Sequence, residues 1–384
     1  MTDQILVLNC GSSSIKAALF DRAGDSATPN LSALLERIGT APRLKLGEER
    51  MEAPGGASAT HASLLDWFLG LLAERAPGPV TLAGHRIVHG GLDFSAPCLL
   101  GEAETGALER LIPMARSHQP HNLAGVRAAR ARWPGVPQIG CFDTAFHRTI
   151  PETRQQFPLP RRFREAGLRR YGFHGLSYEW IARRLPEVTV RAEGRVIVAH
   201  LGNGASLCGM IRRRSATTTM GFTPLDGLMM GNRPGTIDPG AILYMIDEMG
   251  LAVAEVRDLL FHGSGLMGVS ARTNDMRSLL ASDEPQAQLA IDLFVESCCH
   301  QIGAAAADLK GLDALVFTGG IGENAVPVRA RIAEGCAWLG MRLDPDANAA
   351  GATRISTPDS AIEMLVLPTN EEGVIAGHAR ELCP

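Results

Sequence analysis

A two-domain α/β protein is the fold class predicted by this sequence, and three observations predict it. The chain has 384 residues, beyond the roughly 250–300 residues at which a single core stops growing usefully. Short apolar runs with strand character alternate with helical patterns along its length. A hairpin pattern of apolar strand, small-residue turn and second strand opens the chain at VLNCGSSSIKAALFD and returns at RVIVAHLGNGASLCGMI. Matching Gly11 to Gly202 sets an offset of 202 − 11 = 191, about half the chain, which is the mark of a duplicated unit.

The elements follow in order. Ile5 to Asn9 and Ile15 to Asp21 read as strands around a tight Gly/Ser turn. PVTLAGHRIVHGG reads as a strand and a loop, GALERLIPMARSH as a helix ending near His118, and QIGCFDTAF as a strand ending at Asp143. The polar, proline-containing HRTIPETRQQFPLPRRFR places a boundary between Phe146 and Arg164. LSYEWIARRL is a predicted helix, followed by the second hairpin, Arg195 to Ile211. Asp238 and Pro239 open a helix over DPGAILYMIDEMG, and EPQAQLAIDLFVESCCHQIGAAAADL is a long helix with apolar residues at i+3 and i+4. Asp313 to Thr318 is a strand running into a glycine-rich loop, GGIGENA; the strand IEMLVL and the helix NEEGVIAGHARELC close the chain. The expected domains are 1–148, completed by 371–384, and 149–370.

Composition narrows the function. The chain is 45% apolar and 20% charged with a net charge of −4, and it has neither a run of eighteen apolar residues nor a long charged tail. Neither a nucleic-acid partner nor a membrane is expected. MTDQILVLN lacks the basic segment, apolar run and cleavage site of an export signal, so the expected location is the cytoplasm. Eight cysteines, at 10, 98, 141, 208, 298, 299, 336 and 383, show no zinc spacing and read as reduced, small apolar residues. Of 37 basic residues only Lys16, Lys45 and Lys310 are lysines, and Lys16 directly follows the serine run and Ile15. A compact ammonium differs from a forked guanidinium, so that placement points to a specific role beside an anion.

The serines of GSSS lack the GxSxG setting of an activated nucleophile, and no GxxxxGK[ST] phosphate loop occurs. The GxGxxG spacing of a dinucleotide site is likewise expected nowhere in the chain. What remains is phosphate binding by glycine-rich loops at 11–14, 202–206 and 319–322, each directly after an apolar strand. Small residues there let backbone N–H groups and serine hydroxyls close on an anion.

These residues carry a resemblance. VLNCGSSSIK, AGHRIVHGG, CFDTAFH, RRYGFHG, HLGNGAS, MGNRPGTIDPG, FTGGIGEN and PTNEE resemble, in order from Leu6 to Glu372, the motif blocks of the acetate kinase family. The resemblance implies two duplicated ribonuclease H-like domains of the actin/Hsp70/sugar kinase type around an interdomain cleft. It also implies reversible phosphorylation of acetate by ATP, yielding acetyl phosphate and ADP, with Mg²⁺ (or Mn²⁺) and as a homodimer.

By the same resemblance Arg86 and Arg233 would hold the carboxylate and the transferring phosphoryl group, His174 would donate at the transition state, and Asp143 would position the arginines or substrate. An arginine fork meeting two oxygens suits that work, and acetate, already ionised at pH 7, needs no general base. Asn9 and Glu371 match the metal positions, and oxygen ligands are what Mg²⁺ prefers. Ser12, Lys16, His200, Leu201, Gly202, Asn203 and Gly204 match phosphate or nucleotide contacts, as do Asp275, Met276 and Arg277, and Gly320, Ile321, Gly322, Glu323 and Asn324. Glu372 reads as no more than an acidic residue in a first helical turn, and His61, His262, His300 and His378 as ordinary surface or core histidines.

The acyl pocket would comprise Val88, Ser117, Phe173 and Pro224, with Ser117 standing where the family usually has leucine. Propionate or butyrate kinase is therefore an alternative. A nucleotide-gated binding protein of the Hsp70 or actin type is more distant, since it leaves Arg86, Asp143, His174 and Arg233 without a task.

Overall fold

The computed structural model describes residues 2–24 and 27–384. The chain divides into two compact units, Met1–Phe146 with Asn370–Pro384, and His147–Thr369.

In the first unit β1 (Gln4–Cys10), β2 (Ser14–Asp21), β3 (Leu31–Glu36), β4 (Arg43–Leu46), β5 (Glu49–Glu52), β6 (Val80–Ile87), β7 (Cys98–Leu99) and β8 (Gln138–Phe142) form an eight-stranded sheet. Its order is β5-β4-β3-β2-β1-β6-β8-β7. In the second, β9 (Arg195–Leu201), β10 (Ala205–Ile211), β11 (Arg214–Thr218), β12 (Ala314–Thr318) and β13 (Glu363–Val366) run in the order β11-β10-β9-β12-β13. The first sheet contains the same five-strand pattern, β3-β2-β1-β6-β8. In each, the first three strands are mutually antiparallel neighbours and the last two run parallel to the opening strand. The duplication predicted from the two hairpins is thus a repeat of whole sheets. The 191 offset holds at both ends of the turn, pairing Cys10 with Leu201 and Ser14 with Ala205.

Burial explains the strand composition. β1, β8 and β12 carry almost unbroken apolar runs because both faces of these central strands are covered. On one side of the first sheet lies the helix His61–Arg75, whose Leu64, Leu65, Phe68, Leu69 and Leu72 pack with Leu6, Leu8, Ile15 and Leu19. Each such side chain contributes about 1.5–3 kcal/mol by leaving water. The helix Glu371–Leu382 also packs on this sheet, and Gly84 in the middle of β6 has a steric reason. A Cβ there would lie 2.4 Å from Ile375 Cγ2.

Two expectations need correction. The helix expected to end near His118 is Glu102–Glu109, followed by a 3-10 turn at Ile112–Met114, and a separate helix runs over Gln119–Arg132. Pro113 sits in the break, where it lacks the N–H that a continuing helix requires. The glycine-rich loop after β12 is a short helix, Gly319–Asn324. Gly319 turns the chain into it at φ 77°, the left-handed region that favours glycine.

Candidate active site

The first unit gathers polar residues at the ends of β1, β6 and β8. Arg86, near the end of β6, forks onto Asp143, the residue just past β8: Nε donates to Oδ1 at 3.0 Å and Nη2 to Oδ2 at 2.6 Å. Asp143 is fully buried, and its N–H donates to Ile87 O, so the carboxylate is fixed by the sheet. Arg86 Nη1 donates to Asn9 Oδ1 at 3.3 Å, and Glu371 Oε2 lies 3.8 Å from Nε. Burial opposes the Arg86 charge, but Asp143 and Glu371 outweigh it and hold its pKa above the ordinary arginine value. Asn9, Arg86, Asp143 and Glu371 therefore form one cluster.

Asn9 Oδ1 and the Glu371 carboxylate are oxygen donors facing the same guanidinium. Among the described residues no group of three or more His, Cys, Asp or Glu is arranged to hold a metal. One amide and one carboxylate fit Mg²⁺, which keeps several waters and takes substrate phosphate oxygens.

The first hairpin is held from behind. Asn122, on the helix Gln119–Arg132, donates to Cys10 O at 2.7 Å and accepts from Val88 N at 2.9 Å, which ties the turn to the end of β6. His61 Nε2 meets Gly11 O at 2.9 Å. Ser12 and Lys16 are exposed, and Lys16 lies directly across the hairpin from Asn9. Val88 is buried, and Ser117 is half-buried with Oγ 2.8 Å from His118 Nδ1.

The second unit builds its cluster around the Gly202–Gly204 turn. His174 caps the helix Gly175–Val188 in the left-handed region, φ 59°. Its ring stacks on His200 with centroids 4.4 Å apart. His174 Nδ1 meets Ser206 Oγ at 2.8 Å, and Ser206 Oγ is also bonded to the Tyr178 hydroxyl. A Cβ on Gly204 would lie 2.9 Å from Arg233 Nη2 and 3.2 Å from His174 Nε2. Arg233 Nη1 donates to Pro224 O at 2.6 Å, and burial lowers the Arg233 pKa to about 10, which leaves it charged at neutral pH.

The same turn is fixed by Gly231 N donating to Asn203 O at 3.0 Å and by Asn274 Nδ2 donating to Asn203 Oδ1 at 3.0 Å. A Cβ on Gly202 would lie 3.9 Å from Gly320 N, so the second and third glycine-rich segments are neighbours. Phe173 and Pro224 are buried.

Several expected nucleotide contacts have structural tasks. Glu323 Oε1 accepts from Gly319 N at 2.9 Å and Thr369 N at 3.2 Å. Asn324 Nδ2 donates to Gly320 O, and Asp275 caps the helix Met276–Leu280. Leu201, Met276 and Gly322 are buried, whereas Ile321 is half-buried and Arg277 is exposed. A GxGxxG spacing does occur, contrary to the expectation, as GSGLMG from Gly263 to Gly268. It follows the helix Val253–His262 and runs into the helix Gly265–Ser270 rather than following a strand, so it lacks the strand–turn–helix setting of a dinucleotide site.

Sequence reasoning missed the residues that hold others in place. Ser206 lies inside the quoted HLGNGAS block, so its position was legible there. His61, set aside as a lone histidine, gave no such signal because its partner is a backbone carbonyl fifty residues away.

The family model described as the Acetokinase family matches residues 4–377. The chain is 48% identical to an acetate kinase from Rhodopseudomonas palustris (strain ATCC BAA-98 / CGA009), covering 100% of this chain and 99% of that protein. It is 46% identical to an acetate kinase from Rhizobium meliloti, covering 99% and 98%. Among solved structures it is similar to a propionate kinase from Francisella tularensis subsp. tularensis SCHU S4, with TM-score 0.93, 34% identity and coverage of 99% and 100%. It is also similar to the Porphyromonas gingivalis acetate kinase, with TM-score 0.89, 32% identity and full coverage of both chains.

Proposed function

The chain belongs to the acetokinase family, and on that premise we propose that it catalyses reversible transfer of the γ-phosphoryl group of ATP to acetate. An acetate oxygen attacks the γ-phosphorus, the bond to the β,γ-bridging oxygen breaks, and ADP leaves with that electron pair. Acetate is ionised at neutral pH, so no proton is moved. The charge spreads over three equatorial oxygens in a loose transition state, and cationic, pre-positioned donors are what lower its energy.

The observation that carries this reading is the approach of Arg233 Nη2 and His174 Nε2 to the same glycine turn. These two would meet the transferring phosphoryl group. Arg86, oriented by Asp143, would take the carboxylate, and Val88, Ser117, Phe173 and Pro224 would surround the methyl group. Ser12, Lys16, His200 to Gly204, Asp275 to Arg277 and Gly320 to Asn324 would serve the nucleotide. Asn9 and Glu371 would hold Mg²⁺ or Mn²⁺, whose charge would neutralise phosphate oxygens. The division into an acceptor-side unit and a nucleotide-side unit belongs to the same reading.

Propionate is a second substrate, favoured by Ser117 in place of a bulky residue and by the likeness to the Francisella tularensis propionate kinase. A second copy of the chain is the expected partner. Leu243, Tyr244, Met249 and Val253, on or beside the helices Pro239–Asp247 and Val253–His262, are 57–62% exposed and supply an apolar patch for it. Eight free cysteines accord with a cytoplasmic location.

Purified protein with Mg-ATP, acetate and hydroxylamine is expected to yield acetyl hydroxamate. Absence of hydroxamate with acetate, propionate and butyrate alike would refute the assignment.

A further inference from the structure

Asp226 and Thr236 close the neck of the loop that carries Arg233. Asp226 Oδ1 accepts from Thr236 Oγ1 at 3.0 Å and from Gly227 N at 2.9 Å, and Thr236 N donates to Gly227 O at 2.9 Å. The two arms of the neck pass at backbone distance. A Cβ on Gly235 would lie 2.5 Å from Gly227 O, and both glycines have left-handed backbones, φ 97° at Gly227 and 75° at Gly235. Asp226 Oδ2 meanwhile accepts from Arg170 Nη1 at 3.2 Å, and that same nitrogen donates to Thr219 O at 2.7 Å.

The neck has empty space on two sides. A cavity of about 400 Å³, lined among others by Arg170, Thr217, Asp226, Thr236 and Asp308, lies on one. A second, of about 680 Å³, is lined among others by Met229, Pro234, Thr236, Ser297 and His300. Thr236 and Gln301 border both. Thr236 thus has open space on both sides, and polar contacts share the placement of this part of the loop with Thr219, whose Cβ a Cβ on Gly227 would meet at 2.7 Å. The loop tip, by contrast, is pegged by Gly231 N to Asn203 O and by Met229 N to Ser297 Oγ at 2.9 Å.

Pro224 precedes the neck, and its carbonyl accepts from Arg233 Nη1, on the far side of the clasp, at 2.6 Å. Arg170 stands four residues before His174, and Tyr171 N donates to Gly221 O at 3.0 Å. The Arg170–Asp226 pair thus fastens the segment bearing Phe173 and His174 to the segment bearing Pro224 and Arg233. We infer that Asp226, clasped by Thr236 and paired to Arg170, is a positioning residue for phosphoryl transfer that sets the guanidinium of Arg233 through the Pro224 carbonyl. This rests on the transition-state task given above to Arg233. Misplacing a catalytic group by about 1 Å from a distance costs up to about 10²-fold in rate.

A double-mutant cycle tests it, using Asp226→Asn and Arg233→Ala singly and together in the full-length protein, read as kcat and as KM for ATP. Asp226→Asn is expected to lower kcat by about 10–10²-fold, to leave the ATP KM within about two-fold, and to cause no further loss when Arg233 is already alanine. An equal loss in both backgrounds, or no loss in either, overturns the proposal. Near-normal turnover of Arg233→Ala alone would instead sink the task assigned to Arg233, so the two failures are distinguishable. Should Asp226→Asn not fold, Thr236→Val replaces it in the same cycle. Thr236→Ser, which keeps the hydroxyl, is expected to retain the kcat of the parent; a loss as large as that of Thr236→Val overturns the clasp.

Discussion

His174 and His200 lie ring on ring, 25° from parallel, and each turns Nδ1 to a serine hydroxyl that is itself held by a second hydroxyl. For His174 the serine is Ser206 and the second hydroxyl Tyr178; for His200 they are Ser177, at 2.8 Å, and Thr369. With Tyr178 donating to Ser206 and Ser206 to His174, a neutral ring would carry its proton on Nε2. With Thr369 donating to Ser177 and Ser177 to His200, the same would hold there. Both Nε2 atoms face the glycine turn, 3.2 Å and 3.9 Å from the Cβ positions of Gly204 and Gly202.

Ser206→Ala should therefore free the His174 ring to take the other tautomer. Turnover is expected to fall by about ten-fold, less than the 10²–10³-fold that losing a whole transition-state donor costs, which His174→Ala should show. Steady-state kinetics on both variants checks the order, and an unchanged kcat for Ser206→Ala would rule out the relay.

Asp143→Asn leaves Arg86 without the buried carboxylate that forks it. Removing one member of a buried pair costs about 3–5 kcal/mol, so a lowered midpoint in thermal unfolding is expected. Because Arg86 loses its orientation, kcat/KM for acetate should drop by about 10²-fold even in molecules that remain folded. Full activity in a folded variant would separate Asp143 from the reaction.

Acid stability should follow the buried histidines. Burial pushes His85, His89 and His147 down to about 4 from an ordinary 6.5. The unfolded chain then binds more protons than the folded one between those values, so stability falls as pH drops through 6.5 and levels off below about 4. His147 is fully buried between Ser215 Oγ and Phe173 O, each at 2.9 Å. Its share is bounded at on the order of 3 kcal/mol. Chemical denaturation of His147→Gln at pH 7 and pH 5 should show a shallower pH dependence than the parent, and an identical slope would contradict the assignment.

Ser117→Leu should narrow the acyl preference. One methylene in an apolar pocket is worth about 1–3 kcal/mol of discrimination, so the kcat/KM ratio of acetate to propionate is expected to rise by at least about ten-fold. A ratio that stays flat would remove Ser117 from the pocket.

The elements most legible in the sequence were those whose signals are local. Val7 to Asp21 and Arg195 to Ile211 announce hairpins by apolar runs flanking small residues, and Asp238–Pro239 announces a helix start; all three stand in the structure. The run through Pro113 read as one helix because its apolar spacing continues past the proline, where the backbone cannot. In the site, Arg86, Asp143, His174 and Arg233 stand in motif blocks, whereas Asn122 and His61 act through backbone groups distant in sequence. No periodicity reports such a contact, since the partner is a carbonyl or N–H that every residue possesses.

The first unit has a sequel in biosynthesis. Its sheet is laid down by residue 142, but the helix whose Ile375 fills the space over Gly84 is translated only after all of 147–369. A nascent chain would carry β6 with that face bare through more than half of its synthesis, at about 5–20 residues per second. Synthesis of the helix Glu371–Leu382, rather than the emergence of the amino-terminal sheet, then sets the earliest moment at which Arg86 and Glu371 can meet.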